Sequence, residues 1–482
     1  MEEVEFKKME LKKEILKAID LLGYKNLTRV QKETIPYVLK KQDLVVKSET
    51  GSGKTLSFAI PICNDVIWDE RSPQALVIVP TRELAIQVKK DFFEIGRLRR
   101  LKTVDIYGKS PYMRQETALK ARTHIVVGTP GRIIDHIERG NLRTDKIKYL
   151  VLDESDEMLN MGFLEQVETI IENLPSDRTN LLFSATMPED IERLASKYMN
   201  KAEYIEIESS ENAFDRIEQI SYEVTASNKL DSLRKITISE NPDNCIVFCN
   251  TRDTVEEVYD YLEEDSYRVD KIHGGMEQDD RTKVMQDFKM GKFRYLVATD
   301  VAARGIDVED ITHVINYDIP RDIEPYIHRI GRTARKKKTG KAITFSRSNQ
   351  SKFLSEIESY TGRNIIKKDI SEVIVEDEDI RSFEDKMREK QAGSRLKEKE
   401  LNKGILKLHI NAGKKTKMRA GDIVGAISNI DGVNAEDIGV IDIIPVSSFV
   451  EILNGKGEYV LKELQNVKIK GRLRNVTKAT RQ

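Results

Sequence analysis

Residues 43–62 read DLVVKSETGSGKTLSFAIPI, an apolar strand-like segment, a turn holding two glycines, and an apolar segment of helical composition. Gly51 and Gly53 let the backbone bend so that successive N–H groups face one point, where the N-terminus of the following helix adds its positive end. Such a turn suits a phosphate. Lys54 can meet the outer phosphates of a nucleoside triphosphate, and the Thr55 hydroxyl can sit on a magnesium ion. The pattern of glycine, four residues, then Gly-Lys-Thr fits only when its first glycine is relaxed, since position 48 is Ser. A glycine turn can also precede a helix for purely structural reasons, but Gly-Lys-Thr between a strand and a helix favours a nucleotide site.

Around this stretch the chain repeats one theme. Short apolar runs, ALVIVP, HIVVGT, YLVLDE and NLLFSAT, then CIVFCN, FRYLVATD, THVINYD and KAITFS, alternate with charged helical segments. Strands that are apolar throughout, separated by helices, predict parallel sheets covered on both faces. The 482 residues accommodate about three domains. The rhythm loosens between Met199 and Asn228, so a first α/β domain is placed at 1–208, a short linker near Ser209–Asn212, and a second α/β domain at 213–362. Residues 363–403 are highly charged without an obvious apolar face and read as a helical linker.

Hydrophobic residues at 39% and charged residues at 33% suit a soluble globular chain rather than a disordered one. No run is long enough to span a membrane and the N-terminus is too charged for a secretory signal, which predicts a cytoplasmic protein with no membrane partner. Cys63, Cys245 and Cys249 are too few and wrongly spaced for a disulfide framework or a zinc knuckle. They read as small core residues.

A P-loop needs a second metal anchor at the end of a neighbouring strand, and Tyr149–Leu159, YLVLDESDEML, offers one. Asp153 can bind magnesium, largely through water, and Glu154 can orient or deprotonate a water attacking the γ-phosphate. A helix cap explains any single acid here, but not two acids ending an apolar strand. Glu157 reads as a solvated helix residue.

From Gly404 the pattern changes to strand, helix, two strands, helix, strand, the last being VKIKGRLRNV. This βαββαβ order is that of RNA-recognition modules. Residues 404–482 carry thirteen Lys or Arg and eight Asp or Glu, hence +5 here and −6 on the remainder of a chain whose net charge is −1. Lys414, Lys415, Lys417 and Arg419, with Lys468, Lys470, Arg472 and Arg474, offer a basic surface to RNA. The positions that would stack bases hold His409, Ser447 and Phe449, a thin platform.

The ordered motifs TRVQ (28–31), SETGSGKT (48–55), PTRELA (80–85), TPGR (129–132), DESD (153–156), SAT (184–186), VFCN (247–250), QDDR (278–281), ATDVAARGID (298–307) and HRIGRTAR (328–335) make the chain resemble the DEAD-box RNA helicases over residues 6–346. The resemblance implies an α/β fold of two tandem RecA-like domains that close on ATP and single-stranded RNA. It implies ATP contacts from Phe6 and Gln31 at the base, from Ser48, Glu49, Thr50, Gly51, Ser52, Gly53, Lys54 and Thr55 at the phosphates, and from Asp307 at the ribose. Arg332 and Arg335 would be arginine fingers, so that hydrolysis waits on closure. Ser184, Thr186 and His328, with Asp156, would couple the catalytic acids to that closed state. RNA backbone contacts map onto Arg82, Gly108, Thr129, Arg132, Arg252, Gln278, Arg281 and Thr299. The C-terminal region resembles the RNA-binding domain of the DbpA/YxiN subgroup. That implies a large-subunit ribosomal RNA hairpin as target, a pre-ribosomal particle as partner and a role in large-subunit assembly.

Three departures stand out. Leu27 replaces a proline, Ser155 replaces the alanine of the name motif with a hydroxyl that can bond locally, and Ala334 replaces a glycine between the finger arginines. If position 334 requires a left-handed backbone, alanine costs about 1 kcal/mol there and can misplace Arg335. The leading expectation is an ATP-dependent helicase unwinding short duplexes beside its tether. The alternative is an ATP-gated RNA clamp or scaffold with weak hydrolysis. A DNA translocase fits less well, because the glutamine motif and the DESD and SAT pair belong to the DEAD-box class.

Overall fold

The computed structural model describes residues 6–49, 51–207, 213–300, 311–334, 338–388 and 404–479. Thr50, the 209–212 linker, Asp307 and Arg335 lie outside the described residues, as does the stretch 389–403. Two compact units result. One holds the first parallel-sheet domain with the C-terminal module, and the other the second parallel-sheet domain.

The first domain is a seven-stranded sheet of β1 (Leu44–Lys47), β2 (Ala75–Ile78), β3 (Thr103–Ile106), β4 (Ile125–Gly128), β5 (Tyr149–Leu152), β6 (Thr179–Ser184) and β7 (Glu203–Glu206), in the order β3-β4-β2-β5-β6-β1-β7. Every pairing is parallel. Alternation along β1 explains its composition. Leu44 and Val46 enter one apolar cluster and Val45 the other, so helices on both faces bury the whole strand. Register places Lys47 beside Ser184 on β6, which sets the phosphate turn next to the SAT segment.

The second domain repeats this plan with β8 (Ile217–Glu223), β9 (Cys245–Cys249), β10 (Val269–Ile272), β11 (Tyr295–Thr299), β12 (His313–Asn316), β13 (Gly340–Ser346) and β14 (Ile366–Asp369), ordered β10-β11-β9-β12-β13-β8-β14. Cys245, Val247 and Cys249 share one cluster while Ile246 and Phe248 enter the other, so the cysteines are core residues as expected, and Cys63 is buried too.

Five strands escaped the sequence reading. β3, β7, β10 and β14 are sheet edges and carry polar or charged residues, since an edge strand buries less of itself, while β8, between β13 and β14, is largely buried but interrupts its apolar residues with Glu218, Gln219 and Ser221. β14 lies inside the 363–403 stretch expected to be a linker. The helix Asp377–Arg388 in the same stretch also packs on the second domain. Phe383 is buried with its ring 4.9 Å from that of Tyr267, and Lys386 Nζ is 2.6 Å from Asp243. One aromatic on a charged helix is a weak periodic signal, but it is enough to anchor that helix.

The C-terminal module is an antiparallel sheet ordered β16 (Ile438–Ile443), β17 (Ser448–Ile452), β15 (Leu406–Ile410) and β20 (Val476–Lys478), with the helices Ala420–Ser428 and Gly457–Glu463. The βαββαβ order holds with one correction. VKIKGRLRNV is not one strand. Lys470 and Gly471, at φ 53 and 74, turn it into a hairpin of β18 (Lys468–Ile469) and β19 (Arg472–Leu473) ahead of β20. Two successive residues at positive φ are what a two-residue hairpin turn demands.

Phe383→Ala should lower the stability of the second domain by about 3 kcal/mol, the cost of truncating a buried aromatic. The urea midpoint of that domain measures it. An unchanged midpoint would return the helix to the status of a linker.

Candidate functional site

In the first domain the site is assembled at the carboxyl ends of adjacent strands, where parallel sheets bind ligands. β1 leads into the phosphate turn, in which Gly51 and Gly53 adopt φ 81 and 96. Glycine is required at position 53 for two reasons, since a Cβ there would also stand 2.7 Å from Gln31 Nε2. Lys54 opens the helix Lys54–Asp65, is buried, and donates from Nζ to the Ser48 carbonyl at 3.0 Å. The Ser48 and Ser52 hydroxyls are 3.2 Å apart. Thr55 follows Lys54 in the first turn of the helix, and Glu49 precedes the glycines.

β5 ends at the acids. Asp153 is buried, and that burial raises its carboxyl to about 7, with Lys54 drawing it down and Glu154 pushing it further up. Its Oδ1 accepts the Glu154 N–H at 3.1 Å. Glu154 takes a left-handed backbone, φ 53, a conformation costing of order 1 kcal/mol that turns the chain into the helix Ser155–Asn160. Ser155 is buried and donates to the Leu152 carbonyl at 3.4 Å, the local bond its hydroxyl permits. Glu157 corrects the sequence reading: it is buried, not solvated.

Asp156 and the SAT segment do meet. Asp156 Oδ2 accepts the Ala185 N–H at 3.1 Å, the Thr186 N–H at 2.8 Å and the Thr186 hydroxyl at 3.1 Å. Ser184 joins both sides, its hydroxyl taking the Asp156 N–H at 3.2 Å and its carbonyl the Ser48 N–H at 3.0 Å. Phosphate turn, acidic strand end and SAT strand are thereby bonded into one body. Gln31 ties on a fourth element. It closes a capping box with Thr28 at the start of the helix Arg29–Leu39, and its Nε2 donates to the Gly53 carbonyl at 3.3 Å. Phe6 is buried within the apolar cluster of this domain.

Farther along the same edge, Arg82 begins a helix capped by Thr81, whose hydroxyl accepts the Leu84 N–H at 3.3 Å. Gly108 follows β3, and a Cβ there would lie 3.6 Å from Arg82 Nη2. Thr129 follows β4, and Arg132 donates to the Ser110 carbonyl at 3.3 Å and to Gln115 at 3.0 Å. The structure thus gathers Arg82, Gly108, Thr129 and Arg132.

The second domain uses the same devices at matching places. Thr251 caps the helix opened by Arg252, accepting the Thr254 N–H at 3.1 Å, as Thr81 does before Arg82. Thr299 ends β11, which occupies the place of β4, and Gln278 opens a helix that also carries the buried Arg281. His328 lies on the helix Ile323–Ile330; Arg332 follows it and is buried. Ala334 stands at φ 56 and is buried, so the left-handed backbone is required there and alanine adopts it.

A pair that the motif reading left without a role fixes this helix. Arg329 is buried and grips Asp300 through two bonds, Nε to Oδ1 at 2.5 Å and Nη2 to Oδ2 at 2.7 Å; Nη2 also donates to Asn250 Oδ1 at 2.9 Å. The signal was legible: Arg329 falls three residues after Tyr326, on the buried side of the helix, and Asp300 closes an apolar strand.

In the C-terminal module, His409, Ser447 and Phe449 come together as expected. His409 Nε2 lies 2.9 Å from the Ser447 hydroxyl, and its ring centre is 5.2 Å from that of Phe449. The two basic stretches also meet, because Lys470 Nζ donates to the Lys417 carbonyl and lies 3.4 Å from Asp422. Lys414, Lys415, Lys417, Arg419, Lys468 and Arg472 are exposed around this junction, with Arg474 half-buried.

Comparison with known proteins decides the family. Residues 28–194 match the family described as DEAD/DEAH box helicase, and residues 228–337 match the helicase conserved C-terminal domain. The chain belongs to the DEAD-box helicases. Residues 407–478 match the DbpA RNA binding domain. A Bacillus subtilis protein named ATP-dependent RNA helicase DbpA is 50% identical over 479 residues, 99% of each chain. A Geobacillus kaustophilus protein named DEAD-box ATP-dependent RNA helicase CshA is 44% identical over 360 residues, 75% of this chain and 77% of its own. Among solved structures, Saccharomyces cerevisiae Dbp5 bound to RNA and ADP BeF3 superposes with a TM-score of 0.70 at 29% identity, covering 80% of this chain and 100% of that one. The chain is accordingly an ATP-dependent RNA helicase built from two RecA-like domains and a DbpA-type RNA-binding module. No described helix is long and apolar enough to cross a membrane.

Asp153 makes a pH prediction. Its folded-state pKa lies above the unfolded value, so the neutral carboxyl is favoured on folding, and the stability it contributes is lost as pH rises between about 4 and about 7. Thermal melting of the nucleotide-free protein should show this decline, and Asp153→Asn should flatten it.

Proposed function

We propose that this helicase is an RNA-stimulated ATPase held by its C-terminal module on a large-subunit ribosomal RNA hairpin, where it opens short neighbouring duplexes within a pre-ribosomal particle. The observation that carries the catalytic half is the bonded body of Ser48, Ser184 and Asp156, which keeps the phosphate turn and the acids in register before any ligand arrives. The tethering half is supported by the convergence of Lys417 and Lys470 in a module carrying excess positive charge.

In this reading Ser48–Thr55 and Gln31 bind ATP, with Phe6 and Asp307 completing the base and ribose contacts. Lys54 neutralises the outer phosphates. Magnesium suits the donor set: Asp153 is a buried carboxylate whose ionised form a divalent cation favours, and Thr55 adds a hard hydroxyl oxygen. When bound, the ion would offset phosphate charge. Glu154 orients and deprotonates the attacking water, held by its left-handed backbone where the acid strand turns. Arg332 and Arg335 supply the fingers, and the Arg329–Asp300 grip positions the helix that leads to them. Asp156, Ser184, Thr186 and His328 relay the state of the site. Arg82, Gly108, Thr129 and Arg132 in one domain, and Arg252, Gln278, Arg281 and Thr299 in the other, hold the RNA backbone. Domain limits of 1–208, 213–362 and 404–482 follow the sequence reading, with the second domain's packing continuing through the helix Asp377–Arg388.

The clamp alternative rested on alanine carrying the cost of a left-handed backbone at position 334 and misplacing Arg335. Ala334 does stand in that backbone, at φ 56, and is buried, while Arg335 lies outside the described residues. Ala334→Gly should therefore leave the RNA-stimulated kcat within about twofold, because the relief of about 1 kcal/mol of backbone strain is offset by the loss of a buried methyl worth about 0.8 kcal/mol. A rise of about tenfold or more would revive the clamp.

Steady-state ATPase with and without a large-subunit ribosomal RNA fragment tests the whole reading. RNA should stimulate hydrolysis, and Glu154→Gln should lower kcat by about 100-fold or more, the scale of a lost general base. Deleting residues 404–482 should abolish selectivity for that fragment while leaving ATPase at saturating RNA. Selectivity that survives the deletion would refute the tether.

A further inference from the structure

The C-terminal sheet has two ends of opposite chemistry. At one end the Lys414 and Lys415 N–H groups bond the Ile444 and Pro445 carbonyls, at 2.9 and 2.8 Å, so the basic loop sits against the β16–β17 turn. At the other end, where Ile438 pairs with Ile452, stands Glu451. Pairing along β15 and β17 puts Glu451 on the face that also carries Lys407, His409 and Phe449. This is the outer face, since Leu408, Ile410, Val450 and Ile452 fill the core.

A carboxylate buried on an outer face needs a partner, and the partner comes from the first domain. Arg97 meets it fork to fork, Nε to Oε2 and Nη2 to Oε1 at 2.9 Å each, with side chains only 9% and 8% exposed. Arg100 donates from Nε to the Ile438 carbonyl at 2.9 Å and from Nη2 to the Ala435 carbonyl. Lys102 Nζ lies 2.7 Å from Asp442 Oδ1. Gly439 leaves the space Glu451 needs: a Cβ there would stand 3.0 Å from Glu451 Cβ and 3.2 Å from its Oε2.

We propose that this contact is a built docking surface that fixes the RNA-binding module on the first domain in the full-length chain, and that it stays closed while the module's basic end holds RNA. All three cations come from residues 97–102, and all their acceptors from the β16–β17 region. A bidentate pair with carbonyl acceptors beside it specifies orientation as well as attraction. None of these residues belongs to the basic loop or hairpin, so docking and RNA binding by those two segments draw on different side chains. The tether then has a fixed direction from the first domain, beyond simply raising the local RNA concentration.

Spin labels at positions 113 and 459, both exposed in the structure, test this in the full-length chain by the distribution of distances between them. The wild-type distribution should be narrow, with and without the ribosomal RNA fragment. Arg97→Glu, a change on the first domain that leaves the module's own core untouched, should broaden it at least about twofold, because a like charge then faces a buried carboxylate. Asp442→Lys should broaden it through the exposed half of the contact. Basal ATPase of Arg97→Glu within about twofold of wild type shows that the first domain is folded. An unchanged distribution in Arg97→Glu overturns the proposal. A distribution that broadens when fluorescence anisotropy shows RNA bound overturns it as well, and anisotropy showing no RNA bound would count instead against the ribosomal RNA reading.

Discussion

Ser184 is the residue on which the first domain's site depends. It ends the fully buried β6, paired with Lys47 of β1, and from that position it bonds the phosphate turn through its carbonyl and the acidic helix through its hydroxyl. Three loops that would otherwise move independently share one reference point. The carbonyl bond is insensitive to side-chain identity, whereas the hydroxyl bond is not, so only the link to Asp156 specifies serine. Asp156 then spends one carboxylate oxygen on three donors of the next two residues. Any movement of Ala185 or Thr186 is therefore felt at Asp156, two residues from Glu154 and three from Asp153.

Each of the two parallel-sheet domains, taken by itself, also holds unfavourable local terms that its surrounding core over-determines. Glu154 and Ala334 both hold left-handed backbones without being glycine, and Asp153 carries its carboxyl in a desolvated place. Glu154 and Asp153 belong to the acidic end of β5, and Ala334 lies between Arg332 and Arg335 in the sequence of the second domain. Each lies at the end of a rigid element, after β5 or after the helix anchored by Arg329. The core strands supply the stability that these positions give up.

Much of this was legible in the sequence, for a physical reason. Strands buried on both faces must be apolar throughout, so β1, β2, β4, β5, β6, β9, β11, β12 and β13 announced themselves, and the residues interrupting them at their carboxyl ends were the candidates for the site. Edge strands such as β7 and β14 face water and read as charged connections. Glu157 was misread because an acid in the first turn of a helix has the same composition whether it is solvated or buried. The 468–473 hairpin was misread because a Lys-Gly turn inside a basic run leaves no break in the alternation. Arg329 carried a signal, an arginine on the apolar side of a helix, that was overshadowed by the arginines around it.

The near-neutral total charge conceals the remaining logic. The C-terminal module is +5 by its sequence, yet Asp442 and Glu451 stand on its outer sheet face, where RNA phosphates would be repelled. Both acids are matched by cations of the first domain. Pairing them removes their repulsion from the field an approaching RNA meets, so the module presents more positive charge when docked than its composition suggests. Arg97 and Lys102 are in turn taken up by these acids. The module's excess positive charge is therefore concentrated in its exposed basic loop and hairpin, residues 414–419 and 468–472.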